Sequence, residues 1–424
     1  MRARPGWLGF LREARWLNGA RASAYAWMLA LFMGSGLMFD WVSLAIGHHP
    51  WGQIMGPAGK PQATDFLAFW AAGRQALTAG GGAAYDLPHL SALEHATAIL
   101  DPALLLAFFY PPTFLLLCLP FAALPYFAGF AAFVASQAVV FGAGLARILP
   151  RDWPSPGKAS IWGSLPILAF PGMLMNAATG QNGFWSASCF AWALVWLESR
   201  PAAAGAALGM LVIKPHLALV VPLGLAAAGR WRAVLACAAT AAAWMALSWL
   251  ILGIGAWHGF FAAAPAIREA LESHREDWGK LQSVFAAVRI GGASLAAGYG
   301  AQAVVSVCVM IAVVTLARRR PGGGAEMAAL AAAAMLCTPH ILDYDLAVTG
   351  VPLAWLAGRA ANGGWLPYEK VGAGVVFLWP LVARAATSAW GLPVAPLILA
   401  GLLVLVFRRA WRDGLPRAEA AVSC

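Results

Sequence analysis

The sequence predicts an all-α, polytopic membrane protein, and three observations carry that reading. Of its 424 residues, 61% are hydrophobic and only 11% charged, where soluble domains carry about 25% charged residues; the mean hydropathy is +0.71. The apolar residues gather into Ala-, Leu- and Gly-rich runs of roughly 15 to 23 residues. That length suits membrane helices rather than barrel strands, because a segment in hydrocarbon must satisfy its own backbone polar groups. The arginines fall in short clusters between the runs, as the positive-inside bias requires. The formal charge of +10 is therefore read as topology, and no nucleic acid is expected as a partner. Cys118, Cys189, Cys237, Cys308 and Cys337 stand singly in or beside apolar segments, so neither a disulfide framework nor a thiolate zinc site is expected.

Taken in order, Arg2, Arg4, Arg12, Arg15 and Arg21 precede an apolar run from Tyr25 to Ile46. The run is too long for a signal peptide and lacks a small-residue cleavage site, so it is read as a retained first helix. A long outer loop, 47–109, follows. In it Phe66, Phe69, Trp70 and Gly73 recur at i, i+3, i+4 and i+7, an apolar stripe expected to lie in the membrane interface. Gly80-Gly81-Gly82 breaks it, and Tyr85 to Leu100 forms a second amphipathic piece. Tyr110-Pro111-Pro112 opens a short apolar segment to Leu124, and a fuller helix runs from Tyr126 to Ile148. Further segments are expected near 160–177, 183–197, 201–213, 217–229, 233–252, 300–317, 325–341, 346–358, 370–388 and 393–407, with a weaker, re-entrant one at 283–299.

This gives about 12–13 transmembrane helices in one integral membrane domain, 1–424. Residues 1–24 form a basic cytoplasmic N-terminus, 47–109 and 253–282 two outer loops, and 408–424 a cytoplasmic tail. Pro265–Gln282 reads as an interfacial cover. Several segments fall short of the roughly 20 residues a straight span needs, which implies a thinned membrane or breaks that line a cavity.

Counting back from the C-terminus, Arg408-Arg409, Lys370 with Arg359, Arg318-Arg319-Arg320, Arg230 with Arg232, Arg200, and Arg147/Arg151/Lys158 all come out cytoplasmic. The count agrees with the N-terminal cluster if 112–124 is a hairpin returning outside, or if one nearby crossing is miscounted. With that topology the polar motifs gather on the outer face.

Each motif has two readings. Asp65, after Thr64 and before the aromatic stripe, is either a helix N-cap or a general base for a sugar hydroxyl at the rim of a cavity. Gly180-Gln181-Asn182-Gly183 is either a capped turn or, through Gln181, a donor and acceptor for a hydroxyl-rich ligand. Lys214-Pro215-His216 is either a snorkelling lysine or a phosphate site. His340 with Asp343-Tyr344-Asp345 is either a local His340/Asp343 pair or a functional intramembrane cluster. The DxD form there is too short to imply a metal, and none is expected. Arg384 is expected to face Asp40 or a cavity. Gly205 to Gly209 reads as a helix-packing motif.

Asp65 with Phe66 and Trp70, Tyr110-Pro111-Pro112, Gly180-Gln181-Asn182, Lys214-Pro215-His216 and Thr338-Pro339-His340 with Tyr344-Asp345 together resemble the motif series of glycosyltransferase family 87. These are GT-C-type, polyprenyl-phosphate-dependent mannosyl- and related transferases. The resemblance covers roughly residues 60–360. It implies inverting transfer of a hexose or pentose, mannose-like, from a polyprenyl-phosphate donor to a lipid or glycan acceptor. The reaction would occur on the outer side of the cytoplasmic membrane, with membrane lipids as surroundings and no cofactor. It further implies Asp65 as base, with Lys214, His216 and His340 steadying the lipid phosphate. Tyr110, Gln181, Asn182, Asp343, Tyr344 and Asp345 complete the expected substrate site, and Asp343 and Asp345 leave open which carboxylate matters. The competing readings are a lipid-linked sugar flippase or other multi-pass transporter, and a non-catalytic partner in a cell-envelope complex.

Overall fold

Ala and Leu dominate the apolar runs and favour helix, and in a computed structural model the described residues, 7–46, 64–97, 106–150, 169–273, 279–319, 322 and 324–414, form an all-α fold. In chain order the helices are α1 (Trp7–Glu13), α2 (Gly19–Ile46), α3 (Thr64–Ala79), α4 (Leu87–Thr97), α5 (Pro112–Ala122), α6 (Tyr126–Ile148), α7 (Gly172–Thr179), α8 (Gly183–Trp196) and α9 (Pro201–Gly209). They continue as α10 (Pro215–Ala218), α11 (Val221–Ala227), α12 (Trp231–Leu252), α13 (Ile254–Glu272), α14 (Val284–Ile290), α15 (Leu295–Arg318), α16 (Ala325–Leu336), α17 (Gly350–Gly363), α18 (Glu369–Ser388) and α19 (Ala395–Asp413). Short 3₁₀ turns cover Gly81–Tyr85, Met210–Ile213 and Asp343–Thr349.

Five of the described helices contain stretches long and apolar enough to cross a membrane: Gly19–Phe39, Tyr126–Ile148, Trp231–Leu252, Leu295–Arg318 and Glu369–Ser388. α12 presents Leu235, Trp249, Leu250 and Ile251 outward, as a helix bathed in hydrocarbon can. It is held to α9 through small residues: a Cβ on Gly205 would stand 2.1 Å from the Ala233 carbonyl oxygen, and one on Gly209 2.6 Å from that of Cys237. The glycine pair is thus a packing motif, as its spacing predicts. Every residue of α16 is buried, because its run of alanines lets neighbouring helices approach from all sides.

Elsewhere the sequence expectations need correcting. The aromatic stripe of α3 packs against protein: Phe66 through Ala72 are all buried, clasped by α5, α6 and the Gly81–Tyr85 turn. The residues between the aromatic positions, Leu67, Ala68, Ala71 and Ala72, are themselves apolar or small, so both faces can be covered. The weak 283–299 segment is two pieces, α14 and the start of α15, parted by Gly291-Gly292. Residues 253–282, expected as a loop, are largely helical, since α13 begins directly at Ile254 and carries Pro265 inside it. α5 has 11 residues, a rise of about 16 Å, roughly half a hydrocarbon core. It packs on α3 and turns back into α6 at Pro125.

Two polar layers tie the helix ends. In one, Arg230 reaches Glu198 at 2.5 Å and Glu326 at 2.7 Å, joining the approaches to α9, α12 and α16; Arg409 pairs with Glu369 nearer the C-terminus. The other layer holds Asn182, Lys214 and Asp345. α8, with 14 residues, connects the two over about 20 Å. Asn182, Lys214 and Asp345 are each no more than 1% exposed, so the second layer is a polar recess buried within the protein. It sits where three apolar clusters meet: one around α8, α16 and α19, one around α3, α5 and α6, and a small one of Leu281, Phe285, Ala286, Leu342 and Tyr344.

Candidate active site

The segment after α16 supplies the floor of the recess. Pro339 prevents the helix from continuing, and residues 341–343 pair instead with 280–282: Gln282 N donates to Ile341 O at 2.8 Å and Asp343 N to Lys280 O at 2.9 Å. Asp345 then turns back to accept from Leu342 N at 3.2 Å with Oδ2, which closes the 3₁₀ turn as a reach-back cap does.

Its other oxygen, Oδ1, meets Lys214 Nζ at 2.5 Å. Lys214 sits at a break that Pro215 forces between two short helical turns. Its ammonium also donates to Asn182 Oδ1 at 3.1 Å and lies 4.5 Å from the Tyr344 ring centroid. Lys214 is 1% exposed. The snorkelling alternative therefore fails, since the side chain runs inward to a partner.

The Gly180–Gly183 turn is built for close approach. Gly180 has φ +71°, and a Cβ there would meet the Cβ of Phe66 at 2.5 Å; one on Gly183 would stand 2.4 Å from the Tyr344 carbonyl oxygen. Asn176 reinforces the turn, donating to Tyr344 O at 2.8 Å and accepting from Gly183 N at 2.8 Å. Gln137 Nε2 donates to Gln181 O at 2.8 Å. Tyr110 OH lies 3.3 Å from Tyr344 OH and 3.5 Å from Gln181 Oε1. Gly180 thus caps α7, whereas Asn182 makes no side-chain capping hydrogen bond to α8 and accepts from Lys214 instead.

Asp65 belongs to the same constellation. It occupies the first turn of α3, where the helix dipole favours negative charge, and is half-buried. With Thr64 already helical, Asp65 lies inside the helix rather than at its N-cap. Its charge acts on Tyr110, Tyr126, Asp343 and Tyr344. Among the described residues it has no hydrogen-bond or ion-pair partner. Asp343, 2% exposed, is held by Arg384 through Nε at 2.8 Å and Nη2 at 2.7 Å. The expected His340/Asp343 pair gives way to this cation, and the His340 ring lies 5.8 Å from that of His216. The Asp40 side chain lies outside the described residues.

All ten sequence-predicted site residues, from Asp65 to Asp345, therefore converge. Sequence reasoning missed Asn176 and Gln137, whose signal was a buried amide in an otherwise apolar helix, and it missed Arg384 as the partner of Asp343. The two carboxylates of Asp343-Tyr344-Asp345 are each engaged by a different cation. Several buried polar atoms of the recess stand without a hydrogen-bond partner among the described residues, among them Gln137 Oε1, Asn182 Nδ2 and His216 Nε2. Unmet donors and acceptors inside a recess are places where a hydroxylated or phosphorylated ligand can bind.

The profile of glycosyltransferase family 87 matches residues 108–339, a stretch that includes Tyr110, Gly180–Gly183 and Lys214–His216 and stops one residue before His340. No curated protein and no solved structure matches the chain. With more than half of its length covered by that profile, the chain belongs to glycosyltransferase family 87.

Proposed function

We propose that this membrane glycosyltransferase moves a mannose-like hexose or a pentose from a polyprenyl-phosphate donor to a lipid or glycan hydroxyl, with Asp65 as the general base. The reaction is a single inverting displacement on the outer face of the cytoplasmic membrane. The acceptor oxygen attacks the anomeric carbon while Asp65 takes its proton. The bond from that carbon to the phosphate oxygen breaks, and the electron pair leaves with the lipid phosphate. One observation carries the assignment: of the three carboxylates in the recess, Asp343 is neutralised by Arg384 and Asp345 by Lys214, whereas Asp65 is half-buried and unpaired among the described residues. A base must keep a lone pair free within reach of its proton donor.

The remaining groups hold the shape of the recess. Lys214, Asn182 and Asp345 lock the Gly180–Gly183 turn to the floor, so the recess is fixed before substrate arrives; donors set in advance cost no reorganisation during reaction. Asn182 Nδ2, Gln181, Tyr110 and Tyr344 offer uncharged partners for sugar hydroxyls, and His216 with His340 lies beside them. The test is transfer from a polyprenyl-phosphate sugar to acceptor by the purified protein. Wild type is expected to turn over and Asp65→Asn to lose about 10²- to 10⁴-fold of the rate. Near-wild-type turnover by Asp65→Asn would remove the base, and transfer only from a sugar nucleotide would remove the donor class.

A further inference from the structure

The recess needs a cation for the donor phosphate, and Lys214 is already committed to Asp345 and Asn182 with 1% of its surface exposed. Arg384 stands differently. Its side chain is 37% exposed, and Nε and Nη2 both go to one oxygen of Asp343, with Nη2 also 3.9 Å from Met175 Sδ. A guanidinium has five N–H donors in a fixed fork. Arg384 is thus oriented by a buried carboxylate and keeps donors for a second anion.

Arg384 also ends a continuous stripe. Lys370, Gly374, Phe377, Leu381 and Arg384 follow at helical spacing along one face of α18. The first part of that face lines an open apolar cavity of about 1030 Å³ between α2, α17 and α18, with Phe32, Phe170 and Ala354 also in its walls. Arg384 lies two turns beyond Phe377, a rise of about 10 Å. Leu381 between them is exposed. A molecule with its anionic head at Arg384 can therefore lay a hydrocarbon chain down α18 into the cavity.

We propose that Arg384 seats the phosphate of the lipid-linked donor and that the polyprenyl chain runs along α18 into this cavity. The proposal rests on the glycosyl-transfer reading and adds the donor's position to it. Asp343 is then a positioning residue that aims the guanidinium.

The test measures binding of a long-chain polyprenyl phosphate, and of the matching polyprenol, to the purified full chain in detergent. Wild type is expected to prefer the phosphate. Arg384→Gln should lose about tenfold or more of that preference while polyprenol binding stays. The double variant Arg384→Gln/Asp343→Asn, which leaves no unpaired buried carboxylate, should show the same loss. Gly374→Phe adds bulk where nothing lies within 4 Å of an added Cβ and should weaken both ligands. If both Arg384 variants keep the preference, or Lys370→Gln loses it instead, the head sits elsewhere and the proposal falls. Undiminished binding by Gly374→Phe would remove the chain from the cavity. A wild type that does not distinguish phosphate from alcohol would instead overturn the donor class itself.

Discussion

Lys214 donates to Asp345 across 2.5 Å in a place where neither side chain reaches solvent, and the pair joins the α9–α10 break to the floor of the recess. Removing one member of a buried pair strands the other's charge, at a cost of about 3–5 kcal/mol. Lys214→Met and Asp345→Asn are therefore each expected to lower the detergent-solubilised melting temperature sharply. The double variant Lys214→Met/Asp345→Asn should recover most of it without recovering transfer, because Asn182 and Tyr344 lose the ammonium between them. Independent, additive losses in that cycle would show that the pair is not coupled.

Gly183 makes a narrower prediction. An added methyl would press on the Tyr344 carbonyl at 2.4 Å and on Asn176 Oδ1 at 2.5 Å, both of which are fixed backbone or hydrogen-bonded groups. Gly183→Ala should displace the 3₁₀ turn and cost about 1–3 kcal/mol, with transfer falling along with it. Gly374→Ala, in open surroundings, is the control expected to keep wild-type stability. Equal behaviour of the two variants would contradict the close approach.

Much of the recess is legible in the amino-acid order itself. Asp65, Lys214, His340 and Asp345 stand out because charge inside an apolar chain is costly and so is rarely left without a purpose, and the fold brings all four together. Pairing is the part that chain order hides. Asp343 and His340 are three residues apart, which suggests a local pair, but Pro339 stops the helix that would have aligned them. Asp343 instead finds Arg384, 41 residues away on another helix. The burial of α3 is hidden for a related reason. An aromatic stripe reads as amphipathic until alanines and leucine on the other face are counted as contact surface too.

Glu94 gives a pH dependence outside the membrane helices. It is buried on α4, its Oε2 accepts from Leu106 N at 3.2 Å, and Oε1 has no partner among the described residues. Burial pushes the carboxyl up to about 7, against smaller opposing effects of the Leu106 amide and His95. A group whose folded-state value is raised binds protons in the fold that the unfolded chain has released. The contribution to stability is thus greatest at low pH and declines as pH rises from about 4.5 to about 7. Glu94→Gln, which stays neutral, should abolish that slope and raise the melting temperature above wild type at pH 8. An unchanged slope would place the titration elsewhere.

The three carboxylates of the recess are expected to fail in three different ways. Asp65 has no ion-pair or hydrogen-bond partner among the described residues, and its favourable place on the α3 dipole is worth about 0.3–1 kcal/mol. Asp65→Asn should leave the melting temperature almost unmoved while kcat collapses. Asp345→Asn should lose stability and turnover together, because Lys214 is left charged and buried. Asp343→Asn leaves Arg384, which is part-exposed, free to hydrate. Its main effect should be a raised KM for the lipid-linked donor with a smaller change in kcat. Measuring kcat, KM and melting temperature for all three separates chemistry, scaffold and donor positioning. If Asp343→Asn rather than Asp65→Asn loses kcat at wild-type stability, the base is Asp343, and Arg384 then restrains the proton acceptor instead of receiving the phosphate.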